Sequence, residues 1–464
     1  MAETLRASQL GLEKVERIIK QKGWGRQSAV WYDRANVSLA TLRRFWQRKP
    51  ISAPAFKAIC EVASIAWEDV AYHAPTELEK EIESSEANVW VGRSQLLAAL
   101  TQRTKQGCRL LLITGITGIG KTALVGQLCD QLREQYSNQK SVCLDSDKHT
   151  SFGQTAAYLT GLTLSPSMME SQKADVVKSV VNHLVNQPNL LVLDGLEAIL
   201  EGNEETGWST FQDPLWKQFF QKLLAAQSCK CLVIVASQEF PKELREVGSR
   251  YSQHWYCKAL KGLVPEEQML LFQRLGLDNR YEAILRRIGK AYEGHPLALQ
   301  VIAGEILSDP FSGNVMAYWN TYGHEIEVLE QVSQASSNEA EDDAMRLDCY
   351  TRHLRQIVRE RIETTFTRLQ QGVPAAYWLL CLSSVYRRPV VASFWLNMIA
   401  PLHLDVEQQW LMLDALRDRY LVEDLILNEQ LHLRQHNLIR SVALSHLRQL
   451  RGNSNDGPAN PAIS

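Results

Sequence analysis

The stretch Arg109-Leu110-Leu111-Leu112-Ile113-Thr114-Gly115-Ile116-Thr117-Gly118-Ile119-Gly120-Lys121-Thr122-Ala123 decides the fold. Its first six residues read as a buried strand, and the next eight have the pattern G-x-x-x-x-G-K-[ST]. Glycines let the backbone take positive φ angles and approach phosphates closely. The loop's N–H groups and the start of the following helix, whose pattern runs from Ala123 to Cys129, supply partial positive charge to an anion. In this pattern Lys121 reaches the β- and γ-phosphates, and Thr122 offers its hydroxyl to Mg2+.

Two further apolar runs belong to the same sheet. Asn189-Leu190-Leu191-Val192-Leu193-Asp194-Gly195-Leu196-Glu197 is a strand ending in acid. A buried parallel strand delivers Asp194 to the carboxyl edge, where it can hold Mg2+ together with Thr122. Glu197, three residues on, is a candidate to polarise an attacking water; capping or solvating a helix start is its other reading. The run Lys230 to Gln238 is a third strand, whose end brings Ser237 or Gln238 towards a γ-phosphate. Strands alternating with helical patterns over residues 89–260 predict an α/β P-loop NTPase core with a parallel sheet.

Working outward, residues 261–330 read as a helical subdomain, 331–349 as a polar, acidic linker and 350–450 as helices mixed with short strands. Residues 451–464 read as a disordered tail. Before the core, residues 76–88 form an acidic linker containing Glu77, Glu79, Glu81, Glu83 and Glu86. Residues 1–75 are a small all-α domain. Its helical spacing predicts helices over 12–22, 27–34, 39–46 and 52–62, with Ser38 capping the third.

This head is basic inside a chain whose net charge is −2. Between positions 14 and 57 there are eleven cations and only two acids, Glu16 and Asp33. Such a patch attracts phosphate backbones. The Val37-Ser38 turn opening a helix resembles a helix-turn-helix of the phage-repressor type. On that resemblance Arg43, Arg44 and Arg48, with Thr41 and Gln47, are the candidates to face DNA. A helical adaptor that binds another protein fits the same composition.

The order of motifs resembles the STAND class of P-loop ATPases, and within it the NB-ARC type. Val91-Gly92-Arg93 matches the segment that in this family contacts the adenine side. Asp194-Gly195-Leu196-Glu197 resembles its second acidic motif. Gly294-His295-Pro296-Leu297 resembles its Gly-x-Pro-Leu motif, which implies that Pro296 packs near the nucleotide. Arg434-Gln435-His436-Asn437 resembles its winged-helix histidine motif, which implies that His436 touches the β-phosphate of ADP. The resemblance therefore implies a winged-helix domain over 350–450, an ADP/ATP-dependent switch, slow hydrolysis and a homo-oligomer in the ATP state. Two departures stand out: Gln238 occupies the place of a family arginine, and Asn437 that of a family acid.

The remaining features narrow the classes. No run of about 18 apolar residues occurs, and no apolar leader follows Met1, so the chain is expected to be cytoplasmic with no membrane partner. The nine cysteines show no zinc or redox spacing. No repeat of a ligand-sensing array is present, so an unknown sensor or effector protein is expected as a partner. A P-loop kinase or metabolic NTPase is the other enzyme class, disfavoured by the Gly-x-Pro-Leu and histidine motifs.

Overall fold

The computed structural model describes residues 4–26, 28–71, 90–136, 138–144, 151–161, 169–203, 207–238, 241–336, 343–427 and 430–453. They divide into two compact units, Gly92–Gly262, and Met1–Val91 with Leu263–Ser464.

The head opens the second of these units with β1 (Thr4–Leu5), α1 (Gln9–Gln21), α2 (Ala29–Arg34), α3 (Leu39–Trp46), β2 (Ile51–Ser52) and α4 (Ala53–Ala63). Each helix expected in this block is present. Serine starts two of them: Ser8 Oγ accepts from Gly11 N at 2.9 Å, and Ser38 Oγ accepts from Thr41 N at 3.0 Å. Apolar residues at helical spacing close a core of Val15, Ile19, Trp31, Leu42, Phe45, Phe56 and Ile59. The acidic linker at 76–88 lies outside the described residues.

Gly92–Gly262 is the α/β unit. Its elements are α5 (Ser94–Lys105), β3 (Leu110–Thr114), α6 (Lys121–Gln131), β4 (Asn138–Cys143), α7 (Phe152–Thr160), α8 (Glu170–Val185), β5 (Asn189–Asp194), the hairpin β6 (Leu200–Asn203) and β7 (Gly207–Phe211), α9 (Pro214–Ala225), β8 (Leu232–Ser237), α10 (Lys242–Ser249) and β9 (Trp255–Ala259). The main sheet has the order β4-β5-β8-β3-β9, with every pairing parallel. Crossover helices cover such a sheet on its faces, which is why β3, β5 and β8 are nearly continuous apolar runs rather than alternating ones. One face packs Leu110, Leu112, Leu191, Leu193, Val233 and Val235 against Phe152, Trp216, Phe219 and Phe220. The order sets β8 between β3 and β5, so the carboxyl ends of all three central strands meet at one edge.

From Leu263 the chain is helical: α11 (Pro265–Leu275), α12 (Glu282–Ala291), α13 (Pro296–Leu307) and α14 (Val315–Ser336). The polar stretch expected to be a linker is largely helix. Residues 331–336 complete α14, 337–342 lie outside the described residues, and α15 (Asp343–Gly372) begins at once. Then follow α16 (Pro374–Leu382), β10 (Val390–Val391), α17 (Ala392–Asn397), α18 (Val406–Asp418), β11 (Glu423–Leu427), β12 (Gln430–Arg434) and α19 (Asn437–Asn453). The strands form an antiparallel sheet of order β10-β12-β11 against these helices, a winged-helix arrangement. Gly452 and Asn453, expected in the tail, close α19; residues 454–464 lie outside the described residues. Among the described residues no helix is long and apolar enough to cross a membrane.

Candidate nucleotide site

The loop Gly115–Thr122 joins β3 to α6 at the carboxyl edge of the sheet. Ile116 and Ile119 are buried and anchor the loop to the core, while Thr122 and Ala123 are exposed at the start of α6. Gly118 and Gly120 take φ of 86° and 94°, angles that side chains rarely adopt. The Lys121 ammonium donates to the carbonyls of Gly115 (2.8 Å) and Ile116 (3.2 Å), so it lies folded over its own loop. Thr117 belongs to the same turn between β3 and α6.

Strand β5 brings Asp194 to this loop. Thr122 Oγ1 donates to Asp194 Oδ2 at 2.9 Å. Thus the two oxygen groups expected to serve Mg2+ are already in contact. A hydroxyl and one carboxylate are an oxygen donor set that suits Mg2+, which keeps most of its waters and takes its remaining ligands from phosphate. The residues present fit a magnesium-bound nucleotide.

Beyond β5, Glu197 is held at the end of β8. Its Oε2 accepts from the backbone N–H of Gln238 and its Oε1 from the Gln238 side-chain amide, both at 3.0 Å. The sequence leaves Ser237 or Gln238 as the residue brought towards a γ-phosphate; the amide donors of Gln238 are directed to Glu197. Ser237 is fully buried, and its carbonyl accepts from Gly115 N at 3.2 Å, tying β8 to the loop.

Arg93, expected on the adenine side, has a role the sequence did not reveal. It takes φ of 59° and is 7% exposed. Its Nη2 donates to the carbonyls of Ile119 (2.7 Å) and Lys261 (2.9 Å), and Nη1 lies 3.5 Å from the carbonyl of Gly120. In a trans peptide the C=O and the next N–H point in opposite directions. Drawing the carbonyls of Ile119 and Gly120 towards Arg93 therefore turns the N–H groups of Gly120 and Lys121 the other way. Gly120 also leaves room for this arginine, since a Cβ there would come within 2.9 Å of Arg93 Nη1.

Of the other expected site residues, Gly92 opens the α/β unit, while Val91, Pro296 and His436 belong to the second unit. Val91 is buried and followed by Gly92 at φ 75°. Pro296 starts α13 just after His295, whose Nδ1 caps the helix by accepting from Ala298 N at 3.3 Å. His436 caps α19 in the same way, with Nδ1 accepting from Leu438 N at 3.3 Å.

The candidate DNA residues on α3 are turned inward within their unit. Thr41 is 4% exposed and Arg44 is 7% exposed. Thr41 Oγ1 donates to Asp418 Oδ2 at 3.2 Å, and Arg44 lies against Asp414, Asp418 and Asp424. Arg43 packs beside Gly276 and Gly313, Arg48 follows the helix at φ 56°, and Gln47 Nε2 donates to the Arg274 carbonyl at 3.4 Å. In this arrangement Thr41 and Arg44 are covered within their own unit and do not face outward.

Residues 89–235 match the model of the AAA ATPase domain. The chain is 24% identical to an uncharacterized WD repeat-containing protein, alr2800, of Nostoc sp. (strain PCC 7120), over 84% of this chain and 34% of that protein. It thus spans about a third of that relative's length. Among solved structures it is similar to the STAND protein PH0952 of Pyrococcus horikoshii, which has a tetratricopeptide repeat sensor (16% identity, TM-score 0.46, 80% of this chain and 46% of that one). It is also similar to Cdc6p of Pyrobaculum aerophilum (12% identity, TM-score 0.34, 80% and 98%). The matched segment, which carries the phosphate loop and the acid-tipped strand, is thus similar to AAA ATPase domains.

Proposed function

We propose that the chain is a regulatory switch of the STAND kind, read out by whether ADP or ATP occupies its phosphate loop. The observation that carries this reading is the contact of Thr122 with Asp194 beside Lys121. A phosphate loop alone binds many anions, whereas the added hydroxyl–carboxylate pair selects a polyphosphate that brings its own Mg2+. A bound Mg2+ would supply charge neutralisation to the polyphosphate. The chain's own groups do the rest. Gly115, Ile116, Thr117, Gly118, Ile119, Gly120 and Ala123 supply backbone to the phosphates, and Lys121 swings from its loop carbonyls to them. Thr122 and Asp194 hold the ion, and Glu197 accepts a proton from the attacking water.

Hydrolysis is slow in this reading and resets the switch. Val91, Gly92 and Arg93 line the adenine side, Pro296 packs near the nucleotide, and His436 reports the β-phosphate, as the NB-ARC resemblance implies. ATP shifts the equilibrium only through contacts that differ between two arrangements of the chain. Self-association in the ATP state and DNA binding by the head are the outputs. A scaffold whose head binds a protein is the second reading, favoured by the burial of Thr41 and Arg44.

Calorimetric titration with ADP and with a slowly hydrolysed ATP analogue, with and without Mg2+, tests the central claim. Binding that strengthens with Mg2+ and disappears in Lys121→Ala supports it. Folded protein that takes up neither nucleotide, or a Lys121→Ala variant with unchanged affinity, overturns it.

A further inference from the structure

α3 has two faces one residue out of step. Leu42 and Phe45 point into the head's own core. Ser38, Thr41 and Arg44, one residue earlier on successive turns, point away from it and meet the winged-helix block. Asp418 Oδ2 receives Ser38 Oγ at 2.5 Å and Thr41 Oγ1 at 3.2 Å. Arg44 Nη1 lies 3.4 Å from Asp414 Oδ1 and 3.5 Å from Asp418 Oδ1, and Nη2 lies 3.7 Å from Asp424 Oδ2. On the acid side, Arg417 bonds Asp414 at 3.1 Å and Asp424 at 3.0 Å.

Towards α18 and β11, the two hydroxyls and the guanidinium of this face act as donors, and the side chains that receive them are carboxylates. Two hydroxyls on one anionic oxygen with a guanidinium alongside is how a helix start holds a phosphate. The carboxylates therefore occupy positions that suit phosphate oxygens. Their fit is imperfect: Asp414 Oδ2 and Asp418 Oδ1 are buried without a hydrogen-bond partner among the described residues. Burial raises the Asp418 carboxyl above the usual carboxylate range, Arg44 opposing and Asp414 adding to the rise. An interface that crowds three acids together is held less firmly than its closeness suggests, because each buried carboxylate carries a desolvation cost.

We propose that the Ser38–Thr41–Arg44 face of α3 is a docking surface for the phosphate backbone of duplex DNA, kept closed in cis by Asp414, Asp418 and Asp424. This rests on the reading that the head binds DNA, and adds that the same face cannot do so until α18 withdraws. The winged-helix block then acts as an internal competitor for the head. Its carboxylates also repel the DNA that would replace them, so closed and bound states exclude one another.

The test uses the full chain carrying Asp414→Asn and Asp418→Asn. Asparagine keeps the size and removes the charge. Two quantities are measured: hydrogen exchange across residues 39–46, and the affinity for a short random-sequence duplex at two salt concentrations. The expected result is faster exchange in α3 and DNA binding strengthened about tenfold or more, with a steeper salt slope. Adding Arg44→Ala should cancel the gain. Asp424→Asn alone, which leaves every donor of α3 in place, serves as the milder opening where the double asparagine variant folds poorly. Unchanged exchange and unchanged affinity overturn the latch. Faster exchange with no gain in affinity overturns the docking surface and with it the DNA reading of this face. A wild-type chain that binds DNA as tightly as the variant, with α3 still protected, overturns the closure while leaving DNA binding to another part of the head.

Discussion

Gln238 holds Glu197 by two bonds at once, one from its backbone N–H and one from its side-chain amide, each 3.0 Å long. The carboxylate is thereby fixed in direction, although it belongs to a short 3-10 turn (Leu196–Ile199) that would otherwise leave it free to rotate. The Gln238 Oε1 atom is buried with no hydrogen-bond partner among the described residues.

Gln238→Ala removes the side-chain bond and the spare acceptor but leaves the backbone N–H in place. Hydrolysis should therefore fall about tenfold with nucleotide affinity unchanged, since only orientation is lost. Glu197→Gln removes the proposed base and should cost about a hundredfold. Single-turnover hydrolysis separates the two. Equal rates for Glu197→Gln and wild type would remove Glu197 from the chemistry.

Arg93 makes a different prediction. Its guanidinium faces carbonyls of the phosphate loop and of Lys261, so its loss should loosen the loop without touching the hydrogen bond of Thr122 to Asp194. Arg93→Met should weaken ADP about tenfold, as each N–H that turns away takes a charge-assisted bond with it. Arg93→Lys should recover part of the loss, having donors but no planar fork. Calorimetry on variants with unchanged near-UV circular dichroism checks this. If Arg93 served only the adenine, Arg93→Met would weaken AMP as much as ADP.

The sheet and the meeting of Thr122 with Asp194 were legible because they depend on local pattern. An apolar run fixes a strand, and the strand's end fixes where Asp194 stands. What Arg93 does was hidden, since it depends on the direction of peptide planes in a loop 26 residues away. The partners of Arg44 were hidden for a stronger reason: Asp414 lies 370 residues along the chain. Eleven cations against two acids read as a surface patch, and nothing local tells that three later aspartates cover part of it. The linker at 331–349 misled through its polarity. A long helix tolerates polar residues on its solvent side, so α14 and α15 extend into it.

His436 allows a role at the nucleotide to be separated from a role in the fold. As a cap it accepts from Leu438 N, and losing a cap costs about 1 kcal/mol. His436→Asn keeps a capping acceptor and loses the reach of the imidazole. ADP release should quicken in His436→Asn while the melting temperature stays near wild type. A release rate equal to wild type would limit His436 to its cap.

Glu305 on α13 makes the last prediction, on stability. Its carboxylate accepts from Arg361, from Thr365 at 2.6 Å and from Arg368 at 2.6 Å, all three on α15. Arg368 also bonds Glu325 of α14 at 2.6 Å, so three helices share one charged cluster. Burial alone would raise the Glu305 carboxyl, but Arg361 and Arg368 outweigh it and hold it below the usual carboxylate range. A folded-state value lower than the unfolded one adds stability that is complete above the ordinary pKa of about 4.3 and is lost as pH falls through the folded value. Hence the helical unit should hold its stability down to about pH 5 and lose it steeply below the ordinary glutamate range. Glu305→Ala leaves Arg361 buried without its main counter-charge, which should cost about 3–5 kcal/mol at neutral pH. The variant should also lose the part of the acid dependence that Glu305 carries. Calorimetric scans of both proteins across this pH range read the two effects together. A variant that keeps the wild-type acid profile would mean that the cluster's charge is balanced by groups other than Glu305.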